Sequence, residues 1–404
     1  MREAEMTIPH LFICPISLDL FRDPVTLCTG QTYDRSSIEK WLAAGNFTCP
    51  VTMQKLHDLS MVPNHTLRHL INEWLQMGPQ FDPDHHHHHH PVTINDSLAS
   101  LKHHLQSHES TLEKKFQSLQ RIQALSEEST TRILYLLQLG FFPLLLELLF
   151  QEVVSEISQE SINFSEHALS CVLRLLPFAQ YESLNMLKEE SKLQSFKSLL
   201  EHGTSKMKVG LCHLIEAISS SSDTRELCSI LGQNHGLLQG LVLLVQDNCE
   251  APEAGIKAIS ALCSSESNRD NMVQGGVLKG LLTYISNAER CHRNLISRAM
   301  ATIELLLELD TAKEAVINNP DGIGALVKMV FRVSDHEGSE SAVRSLMILC
   351  GDSLQAREEA ISAGVLTQVL LLLQSQCSGR TKTRARMLLK LLRSKWNEQP
   401  KNIV

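Results

Sequence analysis

Paired cysteines are missing from this chain. Its eleven cysteines are scattered singly from Cys14 to Cys377, and no Cys-x-x-Cys pair occurs. An odd count without framework spacing excludes a disulfide scaffold and suits free, mostly buried thiols in a reducing compartment. Long apolar runs are missing too. The most apolar stretches, Phe141 to Phe150 and Val365 to Leu373, fall short of the roughly 20 residues that a spanning helix needs, and Glu147 interrupts the first. Residues 1–20 lack the apolar segment of a signal peptide. Aromatics make up only 5%, which with abundant Leu favours helices over a β-sandwich. The formal net charge of -8 leaves no general electrostatic footprint for nucleic acid. Catalytic motifs are likewise absent: there is no Gly-x-Ser-x-Gly, no phosphate-binding Gly loop and no His-Glu-x-x-His. These absences point to a cytoplasmic protein, with or without a nuclear pool, that makes no stable membrane insertion, binds no nucleic acid and needs no cofactor.

What is present divides the 404 residues into a small N-terminal domain, a linker and a long helical array. After a short tail (1–7), residues 8–78 are mixed in composition, with turn signals at Asp23-Pro24, Thr29-Gly30 and Pro63-Asn64. Residues 79–96 read as a linker in which Pro79, Pro83 and Pro91 surround the histidine run His85 to His90. That run reads as a low-complexity expansion, with a metal-binding tract as the other reading. Residues 97–398 are Leu-rich with helical period, followed by a tail at 399–404.

The helical region repeats. A Gly followed by a Leu-rich helix occurs at Gly140, Gly236, Gly276, Gly322 and Gly364, the last four spaced by 40, 46 and 42 residues. One further unit without the Gly falls around Lys192 to Leu200. Each unit opens with a short polar helix (Asn268 to Gln274, Ala312 to Asn318, Ala356 to Ala363), breaks at the Gly, and continues into the Leu-rich helix. A third helix carries a small residue on its apolar face, at Ala258, Ala299, Ala342 and Ala385. Three helices in about 40–47 residues resembles the armadillo repeat. Six or seven units are expected, stacked into an α-solenoid whose surface suits holding a partner.

In the N-terminal domain, Cys14, Cys28 and Cys49 are the only cysteines, so two closed four-ligand zinc sites cannot be built. Phe12 to Leu20 reads as a first loop and Asp23 to Tyr33 as a short hairpin with Gly30 in its turn. Asp34 or Ser36 is expected to cap the next helix, with Ser36-x-x-Glu39 as a capping box. Ile38, Trp41 and Leu42 fall on one face of that helix. Cys49-Pro50 opens a second loop. Thr66 to Gln76 closes the domain, with Leu67, Leu70, Ile71 and Trp74 as its apolar face.

The segments Ile8 to Leu18, Asp23-Pro24-Val25, Thr29 to Arg35, Ile38 to Leu42, Cys49-Pro50-Val51-Thr52 and Val62 to Leu67 together resemble a U-box, a RING-shaped domain without metal. A U-box leading directly into armadillo repeats resembles the plant U-box ubiquitin ligases. The resemblance implies a mostly α protein, a small α+β U-box followed by an armadillo solenoid. It implies an E3 ubiquitin ligase that recruits a ubiquitin-charged conjugating enzyme (E2) and never bonds ubiquitin itself. The E2's own Cys would hold the thioester, and a substrate lysine would attack it. The U-box would position the thioester while the repeats hold a protein substrate near it.

By resemblance, the E2-binding set is Ile16 in the first loop, Trp41 on the helix and Pro50 in the second loop, with Cys14 and Leu18 beside them. No catalytic residue and no metal are expected. Asp19, Asp34, Arg35, Lys55 and Asn64 are candidates for the polar bonds that brace the loops in place of metal. Many RING-type ligases carry a basic linchpin just after the second loop; here that position is Met53. U-boxes often dimerise, so a homodimer is an open expectation, as is a role in plant stress or immune signalling.

Two other readings compete. One is a ligase-inactive armadillo scaffold or adaptor, which Met53 favours and intact Ile16, Trp41 and Pro50 oppose. The other is a covalent ligase using Cys14 or Cys49, neither of which has an evident His beside it in the sequence. The segment from Arg380 to Lys401 holds eight basic residues against one acid, Glu398. It reads as the outer face of a capping helix that turns Met387, Leu388, Leu391 and Leu392 inward, with anionic lipid or importin binding as the alternative.

Overall fold

The computed structural model describes residues 10–77, 94–107, 109–151, 159–246, 252–287, 293–332 and 335–394. The histidine run, most of the linker and both tails lie outside the described residues. The chain forms two compact units that part between Phe141 and Phe142.

The first unit begins with the small mixed domain. Strand β1 (Pro24–Thr26) pairs antiparallel with β2 (Thr32–Asp34), Val25 opposite Tyr33, and with β3 (Val62–Pro63), giving the order β2-β1-β3. Gly30 turns the hairpin at φ 77°, where a side chain would be strained. Helix α1 (Arg35–Ala43) follows β2 directly, and α2 (His65–Met77) closes the domain. Its core gathers Cys14, Leu20, Phe21, Val25, Leu27, Tyr33, Ile38, Cys49, Leu56 and Ile71.

The expected capping box does not form. Asp34 occupies the N-cap position, but its side chain makes no cap bond. Its Oδ1 accepts the backbone N–H groups of Arg22 and Asp23, each at 2.8 Å, and its Oδ2 accepts the Ser36 hydroxyl at 3.0 Å. The carboxylate thus ties the first loop to the helix start. On α2, Ile71 is buried and Leu67 packs on the core, but Leu70 faces solvent, because the one small core is filled by the first two. The side chain of Trp74 lies outside the described residues.

Helices α3 (Ile94–Gln106), α4 (Leu112–Glu128) and α5 (Thr130–Gln138) belong to this same unit. These three helices are thus grouped by compactness with the small domain, and Leu134 of α5 packs against that domain's core. Side-chain caps from Thr111 and Ser129 start α4 and α5.

The second unit holds most of α6 (Phe141–Leu149), α7 (Gln159–Leu175) and five three-element repeats. In the first repeat a 3-10 segment (Tyr181–Lys188) precedes α8 (Glu190–His202) and α9 (Ser205–Ser220). The second has α10 (Arg225–Gln233), α11 (His235–Gln246) and α12 (Pro252–Cys263). The third has α13 (Arg269–Gln274), α14 (Val277–Asn287) and α15 (Arg293–Leu306). The fourth has α16 (Asp310–Ile317), α17 (Gly322–Val330) and α18 (His336–Asp352). The fifth has α19 (Leu354–Ser362), α20 (Val365–Gln374) and α21 (Gly379–Ser394).

Second helices stack in the order α8, α11, α14, α17, α20, and third helices in the order α9, α12, α15, α18, α21. Each repeat thus buries its apolar faces on its neighbours. Ala258, Ala299, Ala342 and Ala385 are all buried at these stacks, where a larger side chain would hold the helices apart.

Only some of the expected Gly breaks have left-handed backbone. Gly140, Gly276 and Gly364 do, at φ 73°, 79° and 86°. Gly236 and Gly322 lie within helical turns instead, and Gly322 is needed for closeness: a Cβ there would meet the Val316 carbonyl oxygen at 2.4 Å.

Candidate functional site

The two loops of the N-terminal domain are copies of one another. In the first, Cys14 N–H donates to Asp19 O at 2.8 Å, Leu18 N–H to Cys14 O at 2.9 Å and Phe21 N–H to Phe12 O at 2.9 Å. In the second, Cys49 N–H donates to Gln54 O, Met53 N–H to Cys49 O, each at 2.8 Å, and Leu56 N–H to Phe47 O at 2.9 Å. Bridges Ile13–Leu20 and Thr48–Lys55 close the two turns at matching places. Leu18 and Met53, also matching, both sit at φ 58°. A left-handed residue with a side chain costs about 1–2 kcal/mol, so each loop holds its shape against local preference.

Polar bonds offset that cost. Cys14 Sγ accepts Asp34 N–H at 3.3 Å. Tyr33 accepts Val51 N–H at 3.2 Å, which leaves its hydroxyl hydrogen for Cys49 Sγ at 2.9 Å. Thr29 Oγ1 also donates to Cys49 Sγ, at 3.4 Å. Burial pushes the Cys49 thiol up, but the hydrogen bonds from Thr29, Thr52 and Tyr33 outweigh it and bring the group down to about 6. Burial, and then the bond to Cys49, hold the Tyr33 phenol above its usual range.

Among the bracing candidates, Arg35 Nε pairs with Asp23 at 2.5 Å, and Asp34 joins loop to helix as described. Asn64 reaches Thr26 and Thr32, each at 3.4 Å, while its Oδ1 accepts Leu67 N–H at 3.0 Å, so it links hairpin to closing helix. Asp19 and Lys55 are exposed and make no side-chain polar bond among the described residues; what they contribute to the loops is backbone. Sequence reasoning misses Tyr33, Thr29 and Asp23 as bracing residues. Tyr33 and Thr29 belong to the Thr29 to Arg35 motif and Asp23 to Asp23-Pro24-Val25, but a motif does not say which atoms bond.

Between the loops lies α1. Trp41 is half-buried, and its Nε1–H donates to Thr48 O at 2.9 Å, just before Cys49-Pro50. Asn46 Nδ2 donates to Trp41 O at 3.2 Å. The indole is thereby fixed against the second loop with part of its surface in solvent. Ile16 and Pro50 are also half-buried, and Leu18 is 76% exposed. Val51, Met53 and Phe47 add exposed apolar surface on and beside the second loop.

Cys14 is a correction. Its residue is fully buried in the core, with its sulfur engaged by Asp34, so it offers a partner no surface. Cys49 is equally inaccessible, and its lowered pKa reflects donors packed around it; a sulfur so enclosed cannot reach a thioester.

A scaffold of twin loops around a helix, braced by side-chain hydrogen bonds and joined in one chain to stacked three-helix repeats, defines a U-box protein of the armadillo class. A family model described as U-box domain matches residues 8–78, and one described as plant U-box protein ARM repeat region matches residues 94–401. The chain belongs to the plant U-box protein family. It is 33% identical over 398 residues to U-box domain-containing protein 26 of Arabidopsis thaliana, spanning 96% of this chain and 92% of that one. It is 27% identical over 408 residues to the E3 ubiquitin-protein ligase PUB23 of the same plant, spanning 98% and 96%. In fold it is similar to the crystal structure of an engineered protein, with a TM-score of 0.52 and 16% identity over 73% of this chain and 68% of that one.

Proposed function

We infer that this chain is an E3 ubiquitin-protein ligase of the non-covalent, RING-type kind. Its U-box recruits an E2 carrying ubiquitin, and its repeats hold a protein substrate whose lysine attacks the E2 thioester. The bond broken is the thioester, the bond formed is an isopeptide, and the leaving thiolate stays on the E2. The ligase supplies proximity and orientation.

The observation that carries this reading is the U-box itself, with Trp41 fixed beside the second loop by its bond to Thr48. We assign the E2 contact to Ile16, Leu18, Trp41 and Pro50, and add Val51, which stands in the second loop where Ile16 stands in the first. Half-buried Ile16, Trp41 and Pro50 beside exposed Leu18 and Val51 have the composition of a small interface hot spot.

The test is ubiquitin chain formation by the purified protein with E1, a panel of E2 enzymes, ubiquitin and ATP. Wild type is expected to build chains, and Trp41→Ala to lose them by about tenfold or more while keeping its fold. Absence of chains with every E2 would favour the adaptor reading, for which Met53 at the linchpin position is the specific observation.

We further propose that the protein is cytoplasmic. All nine of the described cysteines are free thiols, which supports a reducing compartment. Exclusion of a fluorescent fusion from cytosol and nucleus would remove that proposal. A role in stress or immune signalling rests on family resemblance. Exposed Val62 and Leu70 are apolar surface available to a U-box homodimer, a reading that a monomer mass in sedimentation would remove.

A further inference from the structure

In the inner repeats, one stripe of each third helix faces the next repeat. With Ala299, Ala342 and Ala385 in register, the stripe is Met300 and Ile303 on α15 with Leu307 just past its end, and Val343, Leu346 and Cys350 on α18. All six are fully buried. On α21 the same positions hold Arg386, Leu389 and Arg393. Both arginines are exposed, Leu389 is half-buried, and nothing packs on this face among the described residues. With Lys390 these residues line a shallow concavity of about 280 Å³. The face has the geometry of a helix-stacking surface, with its apolar knobs rewritten as cations.

A solubilising cap accounts for polarity but not for the sign. Helix α21 carries six basic residues and no acidic one, in a chain of net charge -8. Of the six, Arg384 is paired, with Glu340 of α18. Arg386, Lys390 and Arg393 have no ion-pair partner among the described residues. Ion pairs between third helices elsewhere place a carboxylate on the earlier helix and a cation on the later one: Glu304 with Arg344, and Glu340 with Arg384. On the open side of α21 that polarity is reversed, so a helix seated there must bring the carboxylates.

We propose that this face of α21 docks an acidic amphipathic helix from a partner protein. The helix stacks as a next repeat would, with carboxylates against Arg386, Lys390 and Arg393 and an apolar residue over Leu389. The surface is separate from the U-box, so the proposal goes beyond the ligase reading, and its failure leaves that reading untouched.

The probe is a labelled, helix-stapled peptide with Glu on one face and Leu beside it, titrated against the full chain by fluorescence anisotropy. Controls are an isomer with the face scrambled, a Lys-for-Glu version, and vesicles of phosphatidylcholine with phosphatidylserine. The variant is Arg386→Gln/Lys390→Gln/Arg393→Gln. Its melting curve should overlay that of wild type, since exposed charges contribute little to stability. The acidic helix is expected to bind wild type and to lose about tenfold or more of its affinity in the variant, with scrambled and basic peptides binding weakly. Equal binding of ordered and scrambled peptides would reduce the effect to diffuse charge and overturn the proposal. So would binding indifferent to the three substitutions, binding of vesicles but not the helix, or no binding at all.

Discussion

At Tyr33 a single hydroxyl serves two parts of the second loop, accepting from Val51 N–H and donating to Cys49 Sγ. Tyr33→Phe leaves both without that partner in a buried place. It should cost about 1–3 kcal/mol in urea unfolding. Chain formation should fall as well, because Val51 and Pro50 lose their anchor. The thiol beneath adds a pH dependence. Cys49 ionises at about 6 in the folded protein, against about 8.5 for an ordinary thiol. A group whose pKa is depressed by folding contributes fully above the unfolded value and loses that contribution as the pH falls through the folded one. Stability should therefore rise between about pH 6 and pH 8.5, and Cys49→Ser should flatten that rise in denaturant midpoints across the range.

Among the elements, the short helices and the hairpin were legible because their signals are local: a Gly at a turn, apolar residues at helical spacing. The identity of the two loops was not. Cys-Pro-Ile-Ser-Leu and Cys-Pro-Val-Thr-Met look alike on paper, but only the backbone bonds show that Leu18 and Met53 take the same left-handed step. The capping box failed for a related reason. Ser36 and Glu39 had the right spacing, yet Asp34 was already committed to the first loop, a contact set by tertiary structure. Repeat glycines carried two meanings that spacing cannot separate, and α17 holds a crowded glycine and an uncrowded one. Gly322→Ala should destabilise by about 1–3 kcal/mol, because its Cβ has a backbone oxygen in the way. At Gly324 an added Cβ would meet nothing within 4 Å. Gly324→Ala should stabilise by about 0.5–1 kcal/mol through helix propensity. Paired thermal melts of the two variants check the opposite signs.

For the whole molecule, composition and period were enough to give a small mixed domain followed by stacked helices, since each repeat announces itself every few dozen residues. That α3 to α5 share a compact unit with the small domain was hidden, because Leu134, a half-buried residue, touches a core far from it in sequence. A fragment of residues 1–141 should therefore melt at a higher temperature than one of residues 1–78, followed by circular dichroism. Equal melting temperatures would mean that Leu134 contributes nothing to the domain.

The end face of α21 bears on how many molecules there are as well as on what they bind. A stack of identical repeats has no intrinsic length: an apolar stripe at its end would accept any similar stripe, including that of a second copy, and two arrays would join end to end. Arg386 and Arg393 stand where those knobs would be. Brought face to face, two such ends set cation against cation. The same charges that would select an acidic visitor would oppose the docking of a second copy's α21 on this one.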